Sequence, residues 1–331
     1  MHSHMADALE HPQLVGLGNN LVVARFEAMK VASALHAVEQ LLRMGTIQRG
    51  DTLVDSSSGL YAYSLALACH KHGLRCHIVA SASVHRSLRL QLQLLGARVE
   101  FSAGADSLRQ DQNLRVERIE QILAENPHFH WMRQYHDPIH YSGYAPLARR
   151  IHEAVGPGPL SLVGGVGSGC STGALAVHLR KLRDDVELIG VQPFGSVTFG
   201  SEHIEDQAVR IAGIGSAIPF DNVHHELYDV VHWVGFDHGC AGATALMRTH
   251  AIFAGLSSGC SYLAARWEAR RQPARQYLFL AADTGERYVD SVFARHADWP
   301  DIQALQPWLI DDASCMRAPW SRMHWGRRPA E

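Results

Sequence analysis

Lys30 stands in a mostly apolar run, Arg25-Phe26-Glu27-Ala28-Met29-Lys30-Val31-Ala32-Ser33-Ala34-Leu35. It is one of only three lysines, with Lys71 and Lys181, among thirty lysines and arginines. A guanidinium stays protonated and delocalised, whereas an amine desolvated by apolar neighbours can lose its proton and attack a carbonyl. Lys30 is therefore a candidate for Schiff-base chemistry, against the plainer reading of a helix-start lysine that snorkels to water. Gly164-Gly165-Val166-Gly167-Ser168-Gly169-Cys170-Ser171 is the second such feature. Its glycines let backbone amides approach an anion, its serines add hydroxyl donors, and a following helix presents its positive end, which together suit a phosphate. Ser56-Ser57-Ser58-Gly59 is a smaller turn of the same kind, suited to a carboxylate, although serines there also serve as plain N-caps. Gly255-Leu256-Ser257-Ser258-Gly259 and Asp283-Thr284-Gly285 are further small-residue loops, ambiguous alone.

These loops need rigid elements behind them. Residues 14–24 read as a turn feeding a strand, and a helix runs from Lys30 to Met44, ended by Gly45. Short strands at 52–55, 77–80, 98–101 and 129–132 alternate with helices near 63–72, 87–95 and 114–124. The second half repeats the pattern, with strands at 160–163, 187–191 and 277–280 and helices at 172–182, 239–252 and after Gly259. Such alternation predicts α/β architecture with parallel sheets covered on both faces. Each chemical loop then falls where a strand gives way to a helix or turn, the edge at which open α/β sheets bind ligands. After about residue 295 the pattern dissolves. The tail carries Trp299, Trp308, Trp320 and Trp325, and is expected to pack on the body or on a second subunit.

Composition narrows the class. A chain of 331 residues, 47% apolar and 19% charged, suits a soluble enzyme of one large or two smaller domains. The net charge of −3 and the isolated arginine pairs argue against nucleic acid. No apolar run reaches the roughly 18 residues of a membrane span. No leader pattern is seen, so the cytoplasm is the expected location. Six scattered cysteines form no C-x-x-C pair, and twenty-two histidines show no ligand spacing, so neither metal nor disulfide is expected. No nucleotide motif fits: the glycine loop is neither G-x-G-x-x-G nor G-x-x-x-x-G-K-[ST].

Taken in order, these motifs resemble the fold-type II pyridoxal-phosphate enzymes, the tryptophan synthase β and cysteine synthase superfamily, over roughly residues 14–294. Lys30 matches the lysine after the family's first strand. Ser57-Ser58-Gly59 resembles its substrate-carboxylate loop, Gln134-Tyr135 the Gln-Phe that closes on the substrate, and His140-Tyr141 the pair that follows. Gly165 to Ser171 looks like the phosphate cup Gly-Val-Gly-Thr-Gly-Gly-Thr, and Gly213-Ile214-Gly215, Gly255 to Gly259 and Asp283 to Tyr288 match the remaining blocks. Gly195 to Gly200 and Ile252 to Gly255 look most like the siderophore-pathway branch, which uses O-phospho-L-serine and L-glutamate to make a precursor of 2,3-diaminopropionate.

The resemblance implies two open parallel-sheet domains. A larger cofactor-anchoring domain is expected from 1–35 with 145–300, a smaller mobile substrate domain from 36–144, and an extension from 301–331. It implies pyridoxal 5′-phosphate held covalently by Lys30, its phosphate by Gly167, Ser168, Gly169, Cys170 and Ser171, and its ring nitrogen facing Ser257. Ser57, Ser58, Gly59, Gln134, Arg115 and Tyr141 are the implied substrate residues, Arg115 meeting a substrate phosphate. The implied reaction is β-replacement on an activated L-serine, phosphorylated or acetylated, through an aminoacrylate, in a homodimer acting on small amino acids. A β-eliminating lyase or dehydratase, and a non-catalytic paralogue, are the alternatives. Two departures stand out: Leu60-Tyr61 occupies the place of the usual asparagine after the carboxylate loop, and Glu27-Ala28-Met29 replaces the longer Asn-Pro-x-Gly-Ser before the lysine.

Overall fold

The computed structural model describes residues 1–82, 84–204, 211 and 213–328. Two compact units divide the chain, Met1–His11 with Ala28–Gly143, and Pro12–Glu27 with Tyr144–Glu331. In chain order, α1 (Met5–Leu9) precedes the hairpin of β1 (Gln13–Gly16) and β2 (Leu21–Arg25). Next come α2 (Lys30–Met44), β3 (Thr52–Ser56), α3 (Leu60–His72), β4 (Arg75–Ala80) and α4 (Arg86–Leu94), then β5 (Arg98–Phe101), α5 (Leu108–Glu125) and β6 (His130–Trp131). Beyond Gly143 follow α6 (Ala145–Val155), β7 (Leu160–Gly165), α7 (Cys170–Arg180), β8 (Val186–Gln192) and β9 (Val230–Val234). The chain ends with α8 (Phe236–His250), α9 (Leu256–Arg271), β10 (Gln276–Ala281), β11 (Trp308–Ile310) and β12 (Trp320–His324).

The first unit holds a four-stranded, all-parallel sheet in the order β5-β4-β3-β6. Its central strands are buried on both faces, as in a sheet covered on both sides. Val31, Ala34, Leu35 and Val38 of α2 pack with Leu53, Leu65 and Ile78. That face is why the unit boundary falls after residue 27, ahead of the position 35 expected from sequence. Gly45 ends α2 in the left-handed conformation, φ 71°, with its N–H bonded back to the last turn.

The second unit is built on an eight-stranded sheet, β1-β2-β10-β7-β8-β9-β12-β11. Strands β2, β10, β7 and β8 are parallel, as predicted, and β9, which was not among the predicted strands, joins them in parallel, while β1 and β12 run antiparallel to their neighbours. The tail is therefore part of the sheet: β12 pairs along β9, from Trp320 opposite Val234 to His324 opposite Val230. Of residues 255–259, read from sequence as a loop, Gly255 is the N-cap and Leu256 to Gly259 are instead the first turn of α9, all of them buried. Among the described residues no helix is long and apolar enough to cross a membrane, and no cluster of three or more His, Cys, Asp or Glu could hold a metal.

A buried polar staple fixes the tail. The Trp320 indole donates to His232 Nδ1 at 3.1 Å, so His232 donates through Nε2 to Glu268 Oε1 at 3.1 Å, and Arg322 Nε adds a bond of 2.9 Å. Burial penalises the Glu268 carboxylate, but its bonds to His232 and Arg322 outweigh that penalty and hold its pKa down at about 2. A carboxyl lowered on folding stabilises above its unfolded pKa of about 4, and that stability is lost as the pH falls through the folded value. Glu268→Gln should therefore cost about 2 kcal/mol in urea unfolding at pH 7. The deficit should shrink towards pH 3. A deficit independent of pH would show that the charge contributes nothing.

Candidate functional site

The first unit brings together most of its predicted site residues at the carboxyl end of β3. Ser57 Oγ accepts from the N–H groups of Gly59 and Ala62, at 3.3 and 3.1 Å, which shapes the turn into α3. Ser58 Oγ accepts from Ser81 N at 2.7 Å. Gly59 is the N-cap of α3, so the loop sits at the positive end of a thirteen-residue helix.

Behind this loop lies a polar brace. Gln134 Nε2 donates to the Ser56 carbonyl at 2.9 Å, and Arg115 Nη1 donates to Ser56 Oγ at 2.7 Å. Arg115 is buried within α5, its Nε paired with Asp111 at 3.1 Å. Beneath them, Asp55 accepts from Ser56 N, Trp131 Nε1 and Gln134 N at 2.7, 3.3 and 3.0 Å. Burial pushes this carboxyl up to about 7 against those three donors and the charge of Arg115.

A second cluster surrounds the start of α2. The His140 ring faces the Met132 carbonyl at 2.9 Å through Nε2, which must be the protonated nitrogen, and meets Ser33 Oγ at 3.3 Å through Nδ1. Ser33 lies three residues beyond Lys30 on α2, and the Tyr61 ring stands edge-on to His140 at 5.4 Å. Burial lowers the His140 pKa to about 4, with the positive charge of Lys30 adding to the effect and the Met132 bond opposing it. His140 is thus a neutral imidazole beside Lys30. Tyr141 follows it, half-buried in the 3-10 segment Pro138–Tyr144.

The second unit presents the glycine loop between β7 and α7. Val166 N bonds to the Val191 carbonyl at 3.0 Å, and Gly215 N to the Val166 carbonyl at 2.9 Å, so the 213–215 turn packs on the loop. Gly169 caps α7 with φ 81°, and a Cβ there would collide with the Asn222 carbonyl, so only glycine fits. A Cβ on Gly167 would strike the Gly213 carbonyl. Ser168, Cys170 and Ser171 are buried, Ser171 Oγ shares a 2.7 Å bond with Tyr144 Oη, and Thr172 Oγ1 shares one of 2.8 Å with Tyr228 Oη. Ser257, in the first turn of α9, lies beside the same strand end: its Cβ is 3.8 Å from where a Gly165 Cβ would stand. Backbone close to the loop, hydroxyls and an eleven-residue helix starting at Cys170 make a cradle for a phosphate monoester.

Asp55, Ser33, Tyr144 and Tyr228 were not singled out as site residues. Asp55 had a visible signal, an acid ending a run that is otherwise a buried strand; the two tyrosines had none.

The sequence profile described as "Pyridoxal-phosphate dependent enzyme" matches residues 24–283. Among curated proteins, the N-(2-amino-2-carboxyethyl)-L-glutamate synthase of Ralstonia nicotianae is 31% identical over 273 residues, covering 80% of this chain and 78% of that protein. The protein of the same name from Cupriavidus metallidurans is 30% identical over 294 residues, covering 85% of each. Among solved structures, a cysteine synthase from Entamoeba histolytica aligns with a TM-score of 0.80 at 20% identity, over 88% of this chain and 90% of that one.

Proposed function

This chain belongs to the pyridoxal-phosphate dependent enzyme family, and we propose that it catalyses β-replacement on an activated L-serine, phosphoserine before acetylserine, forming a non-proteinogenic amino acid. The residues fit the cofactor. The loop from Gly167 to Ser171, closed to any Cβ at Gly167 and Gly169, would hold the phosphate; Ser257 would meet the ring nitrogen and Lys30 the aldehyde carbon. When bound, the cofactor supplies an electron sink for the α-carbon of an amino acid.

In this reading Nζ of Lys30 takes the α-proton as the β-leaving group departs, and returns it after the second nucleophile has added. The hydroxyls of Ser57 and Ser58 and the Ser58 N–H would bind the substrate carboxylate beside Gly59, and Gln134 and Tyr141 would bound the same pocket. Ser257, a neutral hydroxyl, does not hold a proton on the ring nitrogen as a carboxylate would, which favours elimination over racemisation or transamination. The single observation that supports phosphoserine is Arg115, whose guanidinium is bonded to Ser56 next to the carboxylate loop, a cation that would suit a phosphate leaving group. The two synthase relatives support L-glutamate as the second substrate. A homodimer in the cytoplasm completes the reading.

The test is a donor panel. Holoenzyme is given phosphoserine, acetylserine, serine or threonine, with and without L-glutamate or sulfide, and phosphate, acetate, keto acid and amino-acid products are measured. We expect phosphate release from phosphoserine coupled to a glutamate adduct. Keto acid formed at the same rate with or without acceptor would make the protein a β-eliminating lyase, and no turnover of any donor would make it a non-catalytic binder.

A further inference from the structure

The C-terminal tail does not stop at the edge of the sheet. Beyond β12, the N–H groups of Trp325 and Gly326 donate to the Asp229 carbonyl at 2.8 and 3.0 Å, and Arg327 N donates to the Tyr228 carbonyl at 2.8 Å. Arg327 Nε adds an ion pair with Asp229 at 2.7 Å. The tail is thus fastened to residues 228 and 229, just ahead of β9.

What the tail places there is an indole. Trp325 is buried, with the Arg328 guanidinium 4.0 Å over its ring. It meets Phe199 edge-on, 5.0 Å between centroids, and His225 at 5.5 Å. Phe199 in turn stands edge-on to Tyr228 at 5.1 Å. Rings packed this closely move together, because the interior leaves no slack between them. Tyr228 is therefore held twice by the tail, through its backbone by Arg327 and through its ring by Trp325 and Phe199.

Tyr228 reaches the phosphate cradle. It is fully buried, and its Oη bonds Thr172 Oγ1 at 2.8 Å. Thr172 Oγ1 donates its own proton to the Gly169 carbonyl at 3.4 Å, so the Tyr228 hydroxyl is the donor of the pair. A one-way chain runs from Tyr228 to Thr172 to Gly169. Burial pushes the phenol pKa up, against the opposing bond to Thr172, so the proton this chain needs stays in place at neutral pH. Upstream on the same segment, the Asn222 carbonyl stands where a Cβ of Gly169 would be. Gly169 and Thr172 bracket Cys170 and Ser171, and the N–H groups of a helix start hold an anion only while they are aligned on it.

With Gly167 to Ser171 read as the cradle of the cofactor phosphate, we propose that Tyr228 is a positioning residue for that phosphate, acting through Thr172, and that the C-terminal tail keeps it in place through Trp325.

The full chain is stripped of cofactor and reloaded, and dissociation constants are measured from the visible band for pyridoxal 5′-phosphate and for pyridoxal, which has the ring and aldehyde without the phosphate. The unfolding midpoint reports folding. In Tyr228→Phe we expect the constant for pyridoxal 5′-phosphate to rise about fivefold and that for pyridoxal to stay at the wild-type value. Trp325→Ala should show the same selective loss, and Trp325→Phe should restore most of it. Tyr228→Phe keeps every ring and carries the test if Trp325→Ala does not fold. Ser168→Ala, inside the cradle, should also lower the preference for the phosphorylated form. If it does so and Tyr228→Phe does not, the cradle stands and the brace is overturned. If neither variant lowers the preference, the cradle reading falls and the brace falls with it. Equal weakening of both ligands in Tyr228→Phe would show plain core packing and would also overturn the proposal.

Discussion

Lys30→Ala yields a folded protein with the activated-serine reaction slowed by about 10⁴-fold or more, because it removes both the amine that would hold the cofactor and the base that moves the α-proton. Activity is measured as phosphate or acetate release with acceptor present. Two readouts separate this from general damage. Borohydride reduction of the wild-type holoenzyme should fix the cofactor on the peptide containing Lys30. The other lysines make the control sharp: Lys71 is already paired with Asp7 and Glu39 at 2.6 and 2.8 Å, and Lys181 is the C-cap of α7. Label on either would sink the assignment. The second readout is His140, held near a pKa of about 4 by burial and by the charge of Lys30. Without the amine its ring should titrate at a higher pH in an NMR experiment. An unmoved His140 together with full activity would remove Lys30 from the site.

Asp55→Asn is expected to cost about 3 kcal/mol and to loosen the carboxylate loop at once. Oδ1 accepts from Ser56 N and Trp131 Nε1 and can be kept as the amide oxygen, but Oδ2 accepts from Gln134 N. An amide nitrogen there turns a bond into two opposed donors, each worth about 1–3 kcal/mol when left unsatisfied. A protonated carboxyl avoids this, since its hydroxyl oxygen retains a lone pair. The pH dependence has a definite sign. Burial raises the folded pKa to about 7, so the contribution of Asp55 is full below its unfolded value of about 4 and is lost as the pH rises through 7. The stability gap between wild type and Asn variant should be wider at pH 5 than at pH 8. The Michaelis constant for the amino-acid donor should rise with the loss of loop order, because Gln134 and Ser56 both hang on this carboxylate. A variant as stable as wild type at both pH values would show that the three donors are satisfied elsewhere.

What could be read from the sequence followed locality. The bounds of α2 were legible because Gly45 stops it by adopting a conformation that few other residues take. The parallel sheets were legible because short strands such as 160–165 and 276–281, largely apolar and buried on both faces, alternate with helices. The start of α9 was not: Gly255 to Gly259 is rich in turn-forming residues, and it is helix only because close packing against its neighbours rewards small side chains. Nor was β12, since Trp320-Ser321-Arg322-Met323-His324 carries little strand character and takes its conformation from the edge that β9 offers. In the site, the loops announced themselves by composition. Gln134 and Arg115 were named only through the family resemblance, and their bracing contacts were not legible, because Gln134 meets Asp55 across 79 positions of chain and Arg115 meets Ser56 across 59.

The N-terminal hairpin has a consequence for how the protein is made. Strand β2 lies between β1 and β10, and β10 begins at Gln276, about 250 residues after β2 ends. At about 5–20 residues per second, the ribosome takes roughly 12 to 50 seconds to deliver that partner. Meanwhile residues 28–143, with their parallel sheet complete, are free to fold on the nascent chain. The hairpin waits with one edge of β2 unpaired. Folding of the second unit is thus gated by translation of β10, and a chain stalled before residue 276 would expose the sticky edge that invites chaperones.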